Sequence, residues 1–319
     1  MLRMQSRTPE EIRQLHRLHP VRVSAELIAL RDTLLGLALS IAIIAGVIFV
    51  QDRQLATAAS LPPLVKRINT PAELQRPDNQ SADQPAFASA PAEPTSADLQ
   101  AVLNKWQKDY PKASFGVAVR ELDGSGRSAS LNADTSFPSA SLYKLYLEYY
   151  LYTKLDDGDL SLSDTLGAPN NLDDCLDLMI VYSNNECGDD IGANIGWITL
   201  DNFLHAAGFE DTTVTEPNTT SASDMANYLQ RLQQGELISQ DFTTRLTNDM
   251  EKQIFRSAIP SGDSGATVAD KVGFINQSWN DAAIVYGPKN TYILVVLSDN
   301  AGSKPIADLS SRIAAFMDQ

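Results

Sequence analysis

Three clusters of polar residues stand in a fixed order along this chain, and together they have the parts for covalent acyl chemistry. Ser141-Leu142-Tyr143-Lys144 offers a hydroxyl and an amine within one turn of a helix. Phe137-Pro138-Ser139-Ala140 precedes it and an apolar-rich helical run follows, so Ser141 is expected in the first turn of that helix. Unpaired N–H groups and the helix dipole there favour an incipient alkoxide. Lys144 lies one turn later, which brings its amine beside the Ser141 hydroxyl. A lysine acts as a base only when burial or a nearby positive charge lowers its pKa. Lys271, in Lys271-Val272-Gly273, is the candidate for that charge. Between them, Ser183-Asn184-Asn185 ends the apolar run Leu176 to Val181. Taken singly, each cluster has a plain structural meaning: an N-capping serine, a helix end with a left-handed Asn, a strand with an exposed lysine.

The rest of the composition narrows the chemistry. The chain has 319 residues, a net charge of −15 and a hydrophobic fraction of 43%, enough for a sizeable core. That charge opposes binding to nucleic acid or to anionic lipid. Only three histidines occur, His16, His19 and His205, and the first two precede an apolar run. A Ser-His-Asp triad or a His-rich metal site is therefore disfavoured, and lysine is left as the base. No metal or organic cofactor is called for.

In order, spacing and flanking pattern, the three motifs resemble those of class A β-lactamases and their penicillin-binding relatives. The resemblance covers roughly the last two thirds of the chain. It implies Ser141 as nucleophile, Lys144 as base and Ser183 as proton relay to the leaving nitrogen. It also implies that Asn185 bonds the substrate amide and Lys144, while Lys271 offers charge to a substrate carboxylate. Gly273 lets the substrate approach the strand, and the N–H groups of Ser141 and Phe274 form an oxyanion hole. Two departures stand out. Val272 replaces the Thr or Ser whose hydroxyl helps hold a β-lactam carboxylate. The stretch Thr215-Glu216-Pro217-Asn218, where a deacylating glutamate belongs, sits in a loop that is short for the family. Glu216 is thus either the base for deacylation or a plain loop acid.

These motifs need a scaffold, and the pattern suggests an α/β fold: an antiparallel sheet from both chain ends packed with a mostly helical middle. Residues 97–110 have helical spacing, with Leu99, Val102, Leu103 and Trp106 on one face. Residues 114–121 read as a strand, followed by the turn Asp123-Gly124-Ser125-Gly126. The region 139–255 is mostly helical, and 266–274, 282–286 and 291–298 read as strands. A last helix, 304–317, keeps Ile306, Leu309, Ile313 and Phe316 on one face. Cys175 and Cys187 would lie about 18 Å apart on one straight helix, beyond disulfide reach. Either the chain bends at Ser183-Asn184-Asn185 and they pair, or both are buried thiols.

Ahead of the domain, residues 1–32 carry six arginines against four acids, and 33–50 form an uncharged apolar run long enough to span a bilayer. Arginine on its amino side places 1–32 in the cytoplasm. An uncleaved anchor is expected, rather than a signal peptide cut near Ala56-Thr57-Ala58. Residues 51–96, rich in Ala, Pro, Ser, Gln and Asp, read as a disordered tether. The expectation is a single-pass protein of the bacterial cytoplasmic membrane whose domain, 97–319, is an extracytoplasmic serine hydrolase. Its partner would be a small-molecule β-lactam or a peptidoglycan stem peptide. The alternatives are a D-Ala-D-Ala carboxypeptidase-type enzyme, an esterase-like hydrolase, or a non-catalytic module that binds or senses the cell wall.

Overall fold

The computed structural model describes residues 94–319. The expected cytoplasmic segment, membrane helix and nearly all of the tether lie outside these residues. Helix α1 (Ser96–Asp109) starts where Thr95 and Asp98 cap each other. The Thr95 hydroxyl accepts the Asp98 N–H and the Asp98 carboxylate accepts the Thr95 N–H. Two otherwise unpaired donors of the first turn are satisfied in this way. Helix α1 thus starts with the last residue of the segment read as a tether, Ser96. Leu99, Leu103 and Trp106 are buried as the spacing predicts.

Strands β1 (Ser114–Glu121) and β2 (Ser128–Leu131) form a hairpin, and β3 (Phe137–Pro138) leads into the helical middle. A 3-10 turn (Ala140–Leu142) runs into α2 (Tyr143–Asp156), followed by α3 (Leu172–Val181), α4 (Asn185–Ile195) and α5 (Trp197–Ala206). Strand β4 (Thr219–Thr220), helices α6 (Ala222–Gln233) and α7 (Gln240–Glu251), and the short α8 (Ile259–Gly262) complete the middle. The chain ends with β5 (Thr267–Ile275), β6 (Ser278–Tyr286), β7 (Thr291–Asp299) and α9 (Ser303–Met317).

The main sheet has the order β2-β1-β7-β6-β5 and is antiparallel throughout. The amino-terminal hairpin therefore zips onto the last strand, with Val117 opposite Val296. Alternation along β7 divides the core in two. Ile293, Val295 and Leu297 face the helical middle, while Tyr292, Leu294 and Val296 face the layer that holds α1 and α9. This is the expected α/β sandwich. Strand β5 stays at the edge, and its free side is where the chemistry-bearing segments collect.

Nine of the first ten residues of helix α2 are buried, so it runs through the core rather than along its surface. Lys144 and Glu148 are the two charged side chains it carries into that core. Helix α3 stops at Val181, Ser183 takes a left-handed conformation (φ 53°), and α4 starts at Asn185. The left-handed residue is Ser183, not an Asn, because Asn184 is occupied as the N-cap of α4, accepting the Cys187 N–H. The bend brings Cys175 and Cys187 to 5.5 Å between Cα atoms and they form a disulfide, which excludes the free-thiol alternative. Replacing both by Ala should cost about 3 kcal/mol of unfolding free energy. A denaturant midpoint that does not move would contradict this.

Candidate active site

Ser141 is held by its flanks before its own turn begins. β3 pairs with β4, Phe137 opposite Thr220. Just beyond, the Ser139 N–H donates to the Asn218 carbonyl at 3.1 Å, and the Ser139 hydroxyl donates to the Asn218 side chain. From the other side, the Asn280 side-chain amide donates to the Pro138 carbonyl at 2.7 Å. Ala140 then adopts a positive φ of 47°. A non-glycine residue held there is strained by about 1–2 kcal/mol. The strain turns the chain sharply, so Ser141 sits in the 3-10 turn that feeds α2 rather than in the α-helix itself.

Gly273 lets β5 approach this turn. A Cβ on Gly273 would lie 2.6 Å from the Ser139 oxygen and 3.0 Å from the Ser141 nitrogen. Only a residue without a side chain fits, and the edge strand meets the turn backbone to backbone. Phe274 follows directly, at the exposed end of the strand.

Lys144 and Lys271 are both wholly buried and both reach Ser183. The Lys144 Nζ is 2.8 Å from the Ser183 carbonyl and 2.7 Å from Asn185 Oδ1. Two longer contacts join it to Ser141 Oγ at 3.3 Å and Ser183 Oγ at 3.4 Å. The two short partners are carbonyl oxygens, which only accept. A neutral amine has two N–H groups, and these two acceptors use both, leaving its lone pair toward the hydroxyls. Lys271 donates to Ser183 Oγ at 2.9 Å and to the Val272 carbonyl at 2.7 Å.

Burial sets the protonation of both amines. It pushes Lys144 down to about 8, with the Asp189 carboxylate pulling the other way. Lys271 falls to about 7, through burial first and the neighbouring Lys144 charge second. Asp189 is held one turn along α4 from Asn185, where it accepts a 2.7 Å hydrogen bond from the Tyr143 hydroxyl. The Lys144 Nζ stands 5.6 Å from the centre of the same Tyr143 ring.

The structure thus brings together Ser141, Lys144, Ser183, Asn185, Lys271 and Gly273. Val272 is buried, and it brings no hydroxyl to the cleft. Glu216 stands apart. Its loop is anchored beside the Ser141 turn by Asn218, yet its own side chain is exposed and bonds to none of Ser141, Lys144, Ser183 or Asn185. His205 is engaged with the Thr212 carbonyl at 2.9 Å, away from these motifs. Asn218, Asn280, Tyr143 and Asp189 were not picked out from sequence. Asn218 had a faint signal, two residues past Glu216, while the Tyr143–Asp189 pair spans 46 positions with no local pattern.

The sequence profile described as the Beta-lactamase enzyme family matches residues 94–317, and the chain belongs to that family. No curated protein sequence matches it. Among solved structures, PBP-A is 26% identical at a TM-score of 0.64, covering 72% of this chain and 99% of its own. A variant of PBP-A, solved as an acyl-enzyme complex with penicillin G, is also 26% identical at a TM-score of 0.65, covering 72% and 100%. A β-lactamase from Sphaerobacter thermophilus DSM 20745 shares the fold at 21% identity and a TM-score of 0.61, covering 68% and 95%.

Two outcomes follow from this geometry. Gly273→Ala should lower stability by about 1–3 kcal/mol, because backbone must yield to the new Cβ, and an unchanged thermal midpoint would contradict the close approach. Asp189→Asn should lower the Lys144 pKa below about 8, since the carboxylate is what opposes burial. An NMR titration of the Lys144 amine reads this directly, and a pKa that stays or rises would refute it.

Proposed function

We propose that this domain is a serine acyl-transfer hydrolase acting on β-lactams or related amides. The observation that carries the reading is the Ser141 hydroxyl 3.3 Å from a buried Lys144 amine whose pKa lies near 8. An amine at that pKa is partly neutral at physiological pH and can take a proton. Ser141 Oγ attacks the carbonyl carbon as its proton passes to Lys144. The carbonyl oxygen becomes an oxyanion facing the Ser141 and Phe274 N–H groups. As the C–N bond breaks, Ser183 gives its proton to the departing nitrogen and is resupplied by a neighbouring lysine ammonium. Lys271 and Asn185 position the substrate. Water then attacks the Ser141 ester, releasing the acid and restoring the hydroxyl.

The last step is where the chain departs from its hydrolytic relatives. Glu216 is exposed and unattached to the catalytic groups, and Val272 gives a lactam carboxylate no hydroxyl. These two features favour a second reading, a carboxypeptidase-type enzyme of peptidoglycan stem peptides that β-lactams acylate and that releases them slowly. The resemblance to PBP-A supports it. In either case the domain works outside the cytoplasmic membrane, tethered by the apolar run at 33–50.

The test mixes the purified protein with a chromogenic cephalosporin and follows turnover and intact mass together. An acyl adduct that is absent from Ser141→Ala is expected, with turnover at least about a hundredfold slower than adduct formation. Fast turnover that collapses in Glu216→Gln would establish a true β-lactamase. Turnover or adduct persisting in Ser141→Ala would overturn the assignment of the nucleophile.

A further inference from the structure

Among the described residues, five large hydrophobic side chains are exposed, and four of them border this site. Tyr182 precedes Ser183, Phe274 and Ile275 follow Gly273, and Ile254 lies alongside. Contacts make most of this a continuous band. The Ile254 N–H donates to the Val181 carbonyl at 3.1 Å, which sets Ile254 beside Tyr182. The next ring, Phe255, meets Phe274 edge-on at 5.6 Å between centroids. Phe274 in turn stacks at 4.8 Å on Trp279, its partner across the β5–β6 ladder.

The band runs from the residue before Ser183 to the residue after Gly273. Lys271, whose amine bonds Ser183, lies between those two ends and is wholly buried. A ligand therefore meets the apolar rim before it meets the charge. Exposed apolar residues linked by contact and bordering a polar site are the pattern of a binding surface. Tyr182 is 53% exposed, Ile254 54% and Phe274 47%, so about half of each residue is open to a ligand. Its continuity with the segments that carry Ser183 and Gly273 points to the substrate as the occupant. In the proposed mechanism Ser183 serves the leaving group; Tyr182 precedes it in the chain and Ile254 is bonded to Val181 just before, so the band starts on the leaving-group side of the scissile bond. Val272 points the same way: without its hydroxyl a carboxylate gains less here, and apolar contact supplies the binding instead.

Resting on the acyl-transfer reading, we propose that Tyr182, Ile254, Phe255, Phe274 and Trp279 form a subsite that selects acyl donors whose leaving group carries an aromatic or bulky apolar substituent. One such group in an apolar pocket is worth about 10- to 200-fold in specificity.

The test compares two esters of one N-acyl-D-alanine, leaving as D-phenyllactate or as D-lactate. In each, the Ser141–acyl ester forms as the ester C–O bond breaks, and the departing alkoxide takes a proton. Reactivity of the two leaving groups is similar, so kcat/KM for acylation reports the subsite. The phenyllactate ester should acylate the protein at least about tenfold faster. In Tyr182→Ser/Ile254→Ser that advantage should vanish, while the lactate ester keeps its rate within about twofold. Both side chains are half exposed, so the fold tolerates the change. Equal rates in the unsubstituted protein, or equal losses for both esters, would overturn the subsite. Acylation by penicillin G but by neither ester would overturn it too, while leaving the acyl-transfer reading intact. No acylation by any of the three would sink that reading, and this inference with it.

Discussion

Two buried lysine amines meeting at one serine are the constraint around which this domain is organised. Taking a lysine amine out of water costs several kcal/mol, and placing a second beside it adds repulsion. The chain meets that cost partly by hydrogen bonds. Lys144 is met by the Ser183 carbonyl and Asn185, and Lys271 by the Ser183 hydroxyl and the Val272 carbonyl. The remainder appears as depressed pKa values, and a depressed pKa is what makes an amine useful as a base. The left-handed bend at Ser183 allows this, because it offers both the carbonyl and the hydroxyl of one residue to the lysines. The β5 edge and α2 are brought against that bend from different parts of the chain. Stability is given up at the site where reactivity is needed.

Much of this was legible in the sequence, for reasons that differ by element. The faces of α1 and α9 followed from apolar spacing, and β1 matched its expected span residue for residue. Strand β6 starts four residues before its apolar core, since Ser278, Asn280 and Asp281 are polar residues that pair within the ladder, while β5 is displaced by one residue and β7 is one residue longer than expected. Ser141, Lys144, Ser183, Asn185, Lys271 and Gly273 were nameable because chemistry demands those residue types. Their supports were not. The Ala140 strain, the Asn218 and Asn280 anchors and the Tyr143–Asp189 bond depend on contacts between distant segments, and nothing local marks them. The expected left-handed Asn proved to be Ser183 for the same reason: which residue turns is decided by the cap that the following helix requires.

The departures from family pattern fall on one side of the reaction. The groups that the proposed acyl transfer to Ser141 would use lie together, with amines and hydroxyls within hydrogen-bond reach. The groups that would hold a lactam carboxylate or activate a deacylating water are the altered ones. In the Glu216 loop, Asn218 grips Ser139 and so serves the shape of the nucleophile turn, while Glu216 itself faces solvent. A short loop can hold the turn or reach into the cleft, and this one holds the turn.

The Cys175–Cys187 bridge gives the surroundings of the protein a part in its architecture. It staples α3 to α4 across the bend that carries Ser183, so the residue shared by both lysines hangs on a covalent clasp. Thiols pair durably only where the environment is oxidising. A chain retained among cytosolic reductants would have to hold the same bend by noncovalent contacts alone, against two lysine amines whose burial costs hydration. Under the proposed placement outside the cytoplasmic membrane, the compartment that holds the substrate would also supply the oxidising chemistry that closes the clasp.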